Sequence, residues 1–347
     1  MRVVIFKVNH LGDNVVFLPG VQALRRRFPA WRITVVTAEP ERPLYAGALP
    51  PERIWTAPGR VAFNHSWRRP WRFARWWARL RRERPDACLL SYDQSNAAHL
   101  LAKWSGARLR IGARLPFLRV GGSLTRVVNQ VPRQKIADWN WAMFRALAEA
   151  GGATDWPATP PPPDLGHLVS RSDDPKRYAG AIVIHAGARS VIRRWGAARM
   201  RAVAARLVAE GRPVYWVGRP DSAIESLPSG VIGCECATLG ELVQLIAGAA
   251  LFLCNNSGPM HIANALGVPV VFVSGPSSFD WDPHWYPERT TVLRHPSLPC
   301  IACEDSNLGT DHCANLAAPL ACLDYWSVDA VAAACRARLD GPAVPVA

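Results

Sequence analysis

The chain has 347 residues, more than one hydrophobic core usually supports, so two domains are expected. No apolar run approaches the roughly eighteen residues of a membrane-spanning helix, and the chain opens on an amphipathic, strand-like segment, which together predict a cytoplasmic protein. The net charge of +14 points to phosphate-rich or anionic partners without choosing among nucleic acid, membrane surface and phosphorylated substrate, and a coding bias toward Arg, Ala and Pro gives the same excess.

Val3 to Val8 is a continuous apolar, β-branched run, as expected for a strand buried on both faces of a parallel sheet. Between Val15 and Phe28, Val16, Val21 and Leu24 recur at helical spacing, Arg25, Arg26 and Arg27 complement the end of the helix dipole, and Pro29 closes the helix. Trp31 to Thr37 again reads as a strand, so the opening is strand-helix-strand and the fold class is α/β. The first turn, Asn9 to Asn14, lies where parallel sheets bind ligands, beyond the carboxyl end of a strand. Within it Asp13 suits either a helix N-cap or a proton acceptor.

Trp67 to Arg84 is unusually rich in Trp and Arg. On a helix starting near Pro70, Phe73, Trp76, Trp77 and Leu80 share one face and Arg72, Arg75, Arg79 and Arg82 another. Such a helix either covers the sheet with its aromatic face or lies in an anionic membrane interface. A strand at Ala87 to Ser91, a helix around Ala97 to Trp104, a basic segment ending at Gly112 and a helix from Asp138 to Gly151 follow. Trp156 to Pro163, which ends in four consecutive prolines, reads as a stiff spacer and marks the domain boundary.

A second α/β series begins at Ala181 to His185 and continues through a helix at Arg199 to Glu210, a strand at Pro213 to Val217, a helix at Leu239 to Ala247 and a strand at Leu251 to Cys254. Next comes Asn255-Asn256-Ser257-Gly258-Pro259-Met260-His261-Ile262-Ala263, and then a strand at Val268 to Val273. Ser257 suits an N-cap and Pro259 a first helical turn, Gly258 permits close backbone approach, and the free amides with the helix dipole favour a diphosphate. His261, one turn in, is placed to reach the same ligand, or it is an ordinary half-buried side chain. Two α/β domains predict a ligand cleft between them, with the Asp13 turn on one side and the Ser257 helix start on the other.

Lys7 to Pro19, with its Leu-Gly-Asp turn leading toward Leu18-Pro19, resembles the N-terminal signature of the bacterial heptosyltransferases, glycosyltransferase family 9. His185 to Trp195 is similar to the family's phosphate-binding stretch, and Asn256 to Gly275 resembles its Asp-(Ser/Thr)-Gly-x-Met-His-x-Ala block. The resemblance implies a GT-B architecture of two Rossmann-like domains facing each other across a cleft. It implies inverting transfer of a heptose from an ADP-activated donor to a lipopolysaccharide-core or other cell-envelope acceptor, with no metal required for catalysis. By the same resemblance Asp13 is the general base, with His10, Gly12 and Asn14 beside it on the acceptor side. The donor nucleotide falls to Arg189, Arg193, Asn256, Ser257, Gly258, Pro259, Met260 and His261. Two departures stand out: Asn256 replaces the usual Asp, and Gly196 replaces the usual Pro after Trp195, expected to be the lesser change.

The domains implied are 1–160 for the acceptor, 165–325 for the nucleotide sugar, and 326–347, a C-terminal helix and tail expected to pack back on the first domain. Cys300, Cys303, Cys313 and Cys322 can form a structural Zn or Fe site or remain free thiols. Many family members carry similar cysteines, and relatives that glycosylate autotransporter proteins bind iron. The partners expected are an ADP-sugar, a lipid-linked or phosphorylated glycan and the inner, anionic face of the cytoplasmic membrane, with no nucleic acid. The readings that compete are a family member with another donor or a protein acceptor, a sugar-nucleotide epimerase, and a basic nucleic-acid-binding protein motivated by the Trp/Arg stretch.

Overall fold

In the computed structural model of the chain, residues 1–57, 70–92, 94–116, 118–169, 177–218, 226–303, 312–313 and 315–341 are described. They fall into two compact units, Met1–Asp164 and Leu165–Ala347.

The first unit runs β1 (Arg2–Lys7), α1 (Leu11–Val15), α2 (Leu18–Arg27), β2 (Arg32–Ala38), α3 (Arg42–Tyr45), β3 (Ile54–Ala57), α4 (Pro70–Glu83), β4 (Ala87–Leu90), α5 (Asn96–Trp104), β5 (Leu109–Gly112), β6 (Arg126–Val127) and α6 (Ile136–Ala150). Its strands pair in parallel in the order β3-β2-β1-β4-β5-β6. Val3 to Phe6 are wholly buried, as a central strand covered on both faces requires. Trp55, Leu80, Leu90, Ala98 and Leu101 share one cluster with Val4 and Phe6, and Phe73 and Trp76 pack on its margin. The aromatic face of α4 therefore lies inward, while Trp71 and Trp77 remain exposed; Trp67, Arg68 and Arg69 of the same stretch lie outside the described residues. The helix expected over Val15 to Phe28 is α2, which starts three residues later, and a separate helix, α1, takes up the Leu-Gly-Asp turn itself.

The proline stretch is no free spacer. Trp141 Nε1 donates to the Pro157 carbonyl at 2.8 Å, Arg145 donates to the carbonyls of Pro157 and Ala158, and Gln22 exchanges two hydrogen bonds with the Asp164 backbone. It is tacked along α6 and α2 of the first unit.

The second unit contains β7 (Ala181–His185), α7 (Ala197–Ala209), β8 (Val214–Gly218), β9 (Val231–Glu235), α8 (Leu239–Ala247), β10 (Ala249–Asn255), α9 (Gly258–Ala265), β11 (Val270–Ser274), β12 (Thr290–Arg294), α10 (Ala321–Asp324) and α11 (Val328–Asp340). Its parallel sheet has the order β12-β11-β10-β7-β8-β9. Counted from its own first strand this is the order of the first unit, the Rossmann arrangement repeated. The C-terminal helix α11 packs on the second unit, where Val331, Ala332 and Cys335 are buried with Leu207 of α7 and Val271 of β11. Among the described residues no helix is long and apolar enough to cross a membrane.

Candidate active site

In a doubly wound sheet the chain leaves the first strand in one direction and the fourth in the other, opening a crevice at their carboxyl ends. In the first unit those are the ends of β1 and β4. Lys7, the last residue of β1, is completely buried, and its Nζ donates to Ser91 Oγ at 2.9 Å and lies 4.0 Å from Asp13 Oδ1. The ring of Tyr92, just past β4, sits 5.1 Å from the ammonium and that of Phe17 5.4 Å. Asp13 Oδ1 accepts from Tyr92 OH at 2.9 Å and from Asn9 Nδ2 at 3.1 Å. Trp139 of α6 stacks on Tyr92 with ring centroids 4.8 Å apart.

Asp13 is not the helix cap. His10 occupies that position, without a side-chain hydrogen bond, and Asp13 stands in the first turn of α1 with 9 % of its surface exposed. Its carboxylate is held by a cation and two donors against a mostly closed wall, the placement a general base needs. Asn14 is structural: Nδ2 donates to the carbonyls of Asn9 and His10, and Oδ1 accepts from Tyr45 OH at 2.6 Å and Thr37 Oγ1 at 3.3 Å. These bonds fix the turn on which Gly12 and Asp13 sit. Sequence reasoning passed over Lys7, Asn9, Ser91 and Tyr92. The signal was a lysine inside an apolar strand, where burial requires partners.

In the second unit the equivalent ends are those of β7 and β10. Asn255, the last residue of β10, donates through Nδ2 to the Ala186 carbonyl at 2.8 Å and accepts from the Trp195 amide at 3.0 Å, tying the two strand ends together. Ser257 stands at the cap of α9 but makes no side-chain cap; its Oγ lies 3.3 Å from His185 Nδ1. A Cβ at Gly187 would come within 2.9 Å of His185 Nε2, so a side chain there would have to displace that ring. Gly258 and Pro259 open α9 half-exposed, Gly258 with an amide that has no helical carbonyl to meet and Pro259 with no N–H at all. Met260 and His261 are buried within the helix, the His261 ring meeting Trp281 edge-on at 6.1 Å. Arg189 is exposed and Arg193 half-exposed, the latter closing the short 3-10 turn Val191–Arg193.

Three buried polar atoms in the loops beyond this sheet end, Asn256 Nδ2, Ser190 Oγ and Ser277 Oγ, have no hydrogen-bond partner among the described residues. Buried polar groups are normally paired, so these atoms are open to a hydrogen bond from water or a polar ligand. Gly196, beside them, has φ +110°, which proline, fixed near −65°, cannot adopt. A proline at this position would therefore require a different backbone path.

The four cysteines come together. Cys300, Cys303, Cys313 and Cys322 line one cavity of about 10 Å³ with Ile192, Pro276 and Asn315, and none forms a disulfide. Burial first, then the neighbouring Cys313, Cys303 and Cys300, push the Cys322 thiol up to about 11. Among the described residues, however, no three His, Cys, Asp or Glu side chains stand in ligating geometry.

A family model, glycosyltransferase family 9 (heptosyltransferase), matches residues 73–310. The chain belongs to this family. The matched span includes the His185 and Asn256 stretches and starts after the Asp13 turn. Lipooligosaccharide heptosyltransferase 2 of Campylobacter jejuni (serotype O:6, strain 81116) is 32% identical over 79 residues, 23% of this chain and 25% of that protein, so the match spans about a quarter of that relative's length. In fold the chain is similar to the E. coli heptosyltransferase WaaC with ADP-2-deoxy-2-fluoro heptose, at 18% identity and TM-score 0.72 over 97% of this chain and 99% of that one. It is also similar to the iron-containing dodecameric glycosyltransferase TibC of enterotoxigenic E. coli H10407, at 16% identity and TM-score 0.58 over 97% and 75% of the two chains. These likenesses establish the α/β fold with two Rossmann-like units.

Proposed function

We propose that this family member is an inverting glycosyltransferase that moves a heptose from an ADP-activated donor to a lipopolysaccharide-core or other cell-envelope acceptor. The observation that carries the reading is the Asp13 carboxylate at the end of β1, mostly buried and held by Tyr92 OH, Asn9 Nδ2 and the nearby Lys7 ammonium. Asp13 removes the proton from the acceptor hydroxyl as its oxygen forms a bond to the anomeric carbon. The bond from that carbon to the diphosphate oxygen breaks on the opposite face, which inverts the configuration. His10 and Gly12 flank the acceptor, and Asn14 holds the turn.

The donor diphosphate is assigned to the start of α9. The amides of Ser257 and Gly258, the helix dipole and the Arg193 guanidinium stabilise the charge on the departing ADP. Arg189 adds positive charge at the same loop. Asn256 Nδ2, Ser190 Oγ and Ser277 Oγ offer hydrogen bonds to the sugar or nucleotide, while Met260 and His261 brace the helix from behind. The chain's own cations neutralise the leaving group, so no metal is required by the reaction as proposed. Structural Zn or Fe at Cys300, Cys303, Cys313 and Cys322 is supported by their shared cavity, and metal analysis of the purified protein with thiol titration tests it. The acceptor is assigned as lipid-linked or phosphorylated, reached at the inner membrane face, where the exposed Trp71 and the arginines of α4 suit an anionic surface.

Calorimetric titration with ADP, GDP, UDP and dTDP tests the donor assignment. Selective ADP binding is expected; preference for another nucleotide would move the enzyme to a different sugar.

A further inference from the structure

Past the carboxyl end of β11 the chain runs Ser277-Ser278-Phe279-Asp280-Trp281-Asp282, and one large apolar side chain of this loop is left uncovered: Phe279 is 50 % exposed. We propose, resting on the donor site assigned to the start of α9, that Phe279 is the platform on which the donor's sugar ring lies, a specificity-determining residue for the transferred group.

The turn that presents Phe279 is braced. Ser278 Oγ accepts from the Asp280 amide at 3.3 Å and caps the 3-10 turn Phe279–Trp281. The Arg294 guanidinium, at the end of β12, lies 4.2 Å from the Phe279 ring centroid. It is fixed there by three hydrogen bonds, two to the Asp282 carboxylate at 2.7 and 2.8 Å and one to Ser274 Oγ at 2.8 Å. Trp281 meets the His261 ring of α9 edge-on, which joins the turn to the donor helix. Phe279 is therefore held by its stacked guanidinium on one face, and among the described residues no aromatic ring covers the other.

The chemistry of this platform suits a neutral ring that carries hydroxyls. The charge of Arg294 is met by Asp282, so no free cation is offered to a phosphate. What the loop offers is an aromatic face and, two residues earlier, Ser277 Oγ, 1 % exposed and without a hydrogen-bond partner. A pyranose has C–H groups on its faces, which pack on an aromatic ring, and hydroxyls at its rim, which need polar partners. The sheet order separates this sugar from the nucleoside. In such a sheet a nucleotide's ribose is met beyond the second strand, here β8, on the β7 side of the crevice. β11 lies on the opposite side, next to β10. A donor whose diphosphate sits at the start of α9 thus carries its sugar toward Phe279.

The test is calorimetric titration of the full chain with ADP and with ADP-heptose, comparing wild type with Phe279→Ala and Phe279→Tyr, each shown to be folded by its melting curve. ADP-heptose affinity that falls roughly three- to tenfold in Phe279→Ala and returns in Phe279→Tyr, with no loss for ADP, establishes the platform. Equal losses for ADP and ADP-heptose in the folded variant would put the ring under the nucleoside and overturn it. A wild-type protein that binds no ADP overturns the donor reading and the platform with it. Wild-type binding of both ligands that Phe279→Ala leaves unchanged overturns the platform alone.

Discussion

Replacing Asp13 with asparagine removes a charge and little else. The Asn Oδ1 can still accept from Tyr92 and Asn9, while Lys7 Nζ loses a negative charge at 4.0 Å. Two unit charges at that distance interact by about 4 kcal/mol at an effective dielectric constant near 20. Both gave up hydration on burial, which offsets part of this, so Asp13→Asn should lose about 2 kcal/mol of stability. For a unit of this size that lowers the melting temperature by roughly 4 to 8 °C. Turnover, followed as ADP release, should fall roughly 10²- to 10⁴-fold, the usual contribution of a positioned base. The double variant Lys7→Met/Asp13→Asn separates the two effects. Its stability loss should be smaller than the sum of the single losses by about 2 kcal/mol, while activity stays as low as in Asp13→Asn. Wild-type turnover in Asp13→Asn would refute the base, and zero coupling in the cycle would refute the charge pairing.

Other substitutions test the surrounding structure. His99 on α5 is buried, with Nδ1 3.1 Å from Ser123 Oγ, and burial lowers its pKa from 6.5 to about 4. Between those values the unfolded chain binds a proton that the folded chain refuses, so stability is full above pH 6.5 and declines as pH falls toward 4, by about 3 kcal/mol in all. His99→Gln should flatten that window in denaturant titrations; an unchanged pH slope would contradict the assignment. Gly196→Ala forces a side chain to φ +110° with open space around it, so calorimetric melting should show a loss of about 1 to 3 kcal/mol, arising from the backbone alone. Arg193→Gln should weaken ADP binding about ten- to a hundredfold, as loss of a charged hydrogen bond implies. Unaltered affinity would remove Arg193 from the donor site.

The parts of the fold legible in the sequence were those written as long apolar or periodic runs. β1, α5, α6 and α8 fall within a residue or two of their expected limits. The strands β3, β5, β6, β9 and β12 were missed because each is short, lies toward a sheet edge or carries polar residues, and so shows no continuous apolar run. The turns holding Asp13 and Ser257 were visible because helix starts depend on local residue types. Lys7, Ser91 and Tyr92 were not, since their meeting is made by the pairing of β1 with β4, across more than eighty residues. What holds the proline stretch and α11 was not legible for a related reason. Composition shows that a segment is stiff or amphipathic, and only tertiary partners such as Trp141, Arg145 and Leu207 decide where it is fixed.

The central claim is tested most directly by incubating the protein with ADP-heptose and a heptose-deficient lipopolysaccharide core and following ADP release and the anomeric proton of the product in one NMR experiment. The account predicts equimolar ADP and a glycosidic bond of configuration opposite to that of the donor. Retained configuration, or no ADP release while a UDP-, GDP- or dTDP-sugar turns over, would contradict it.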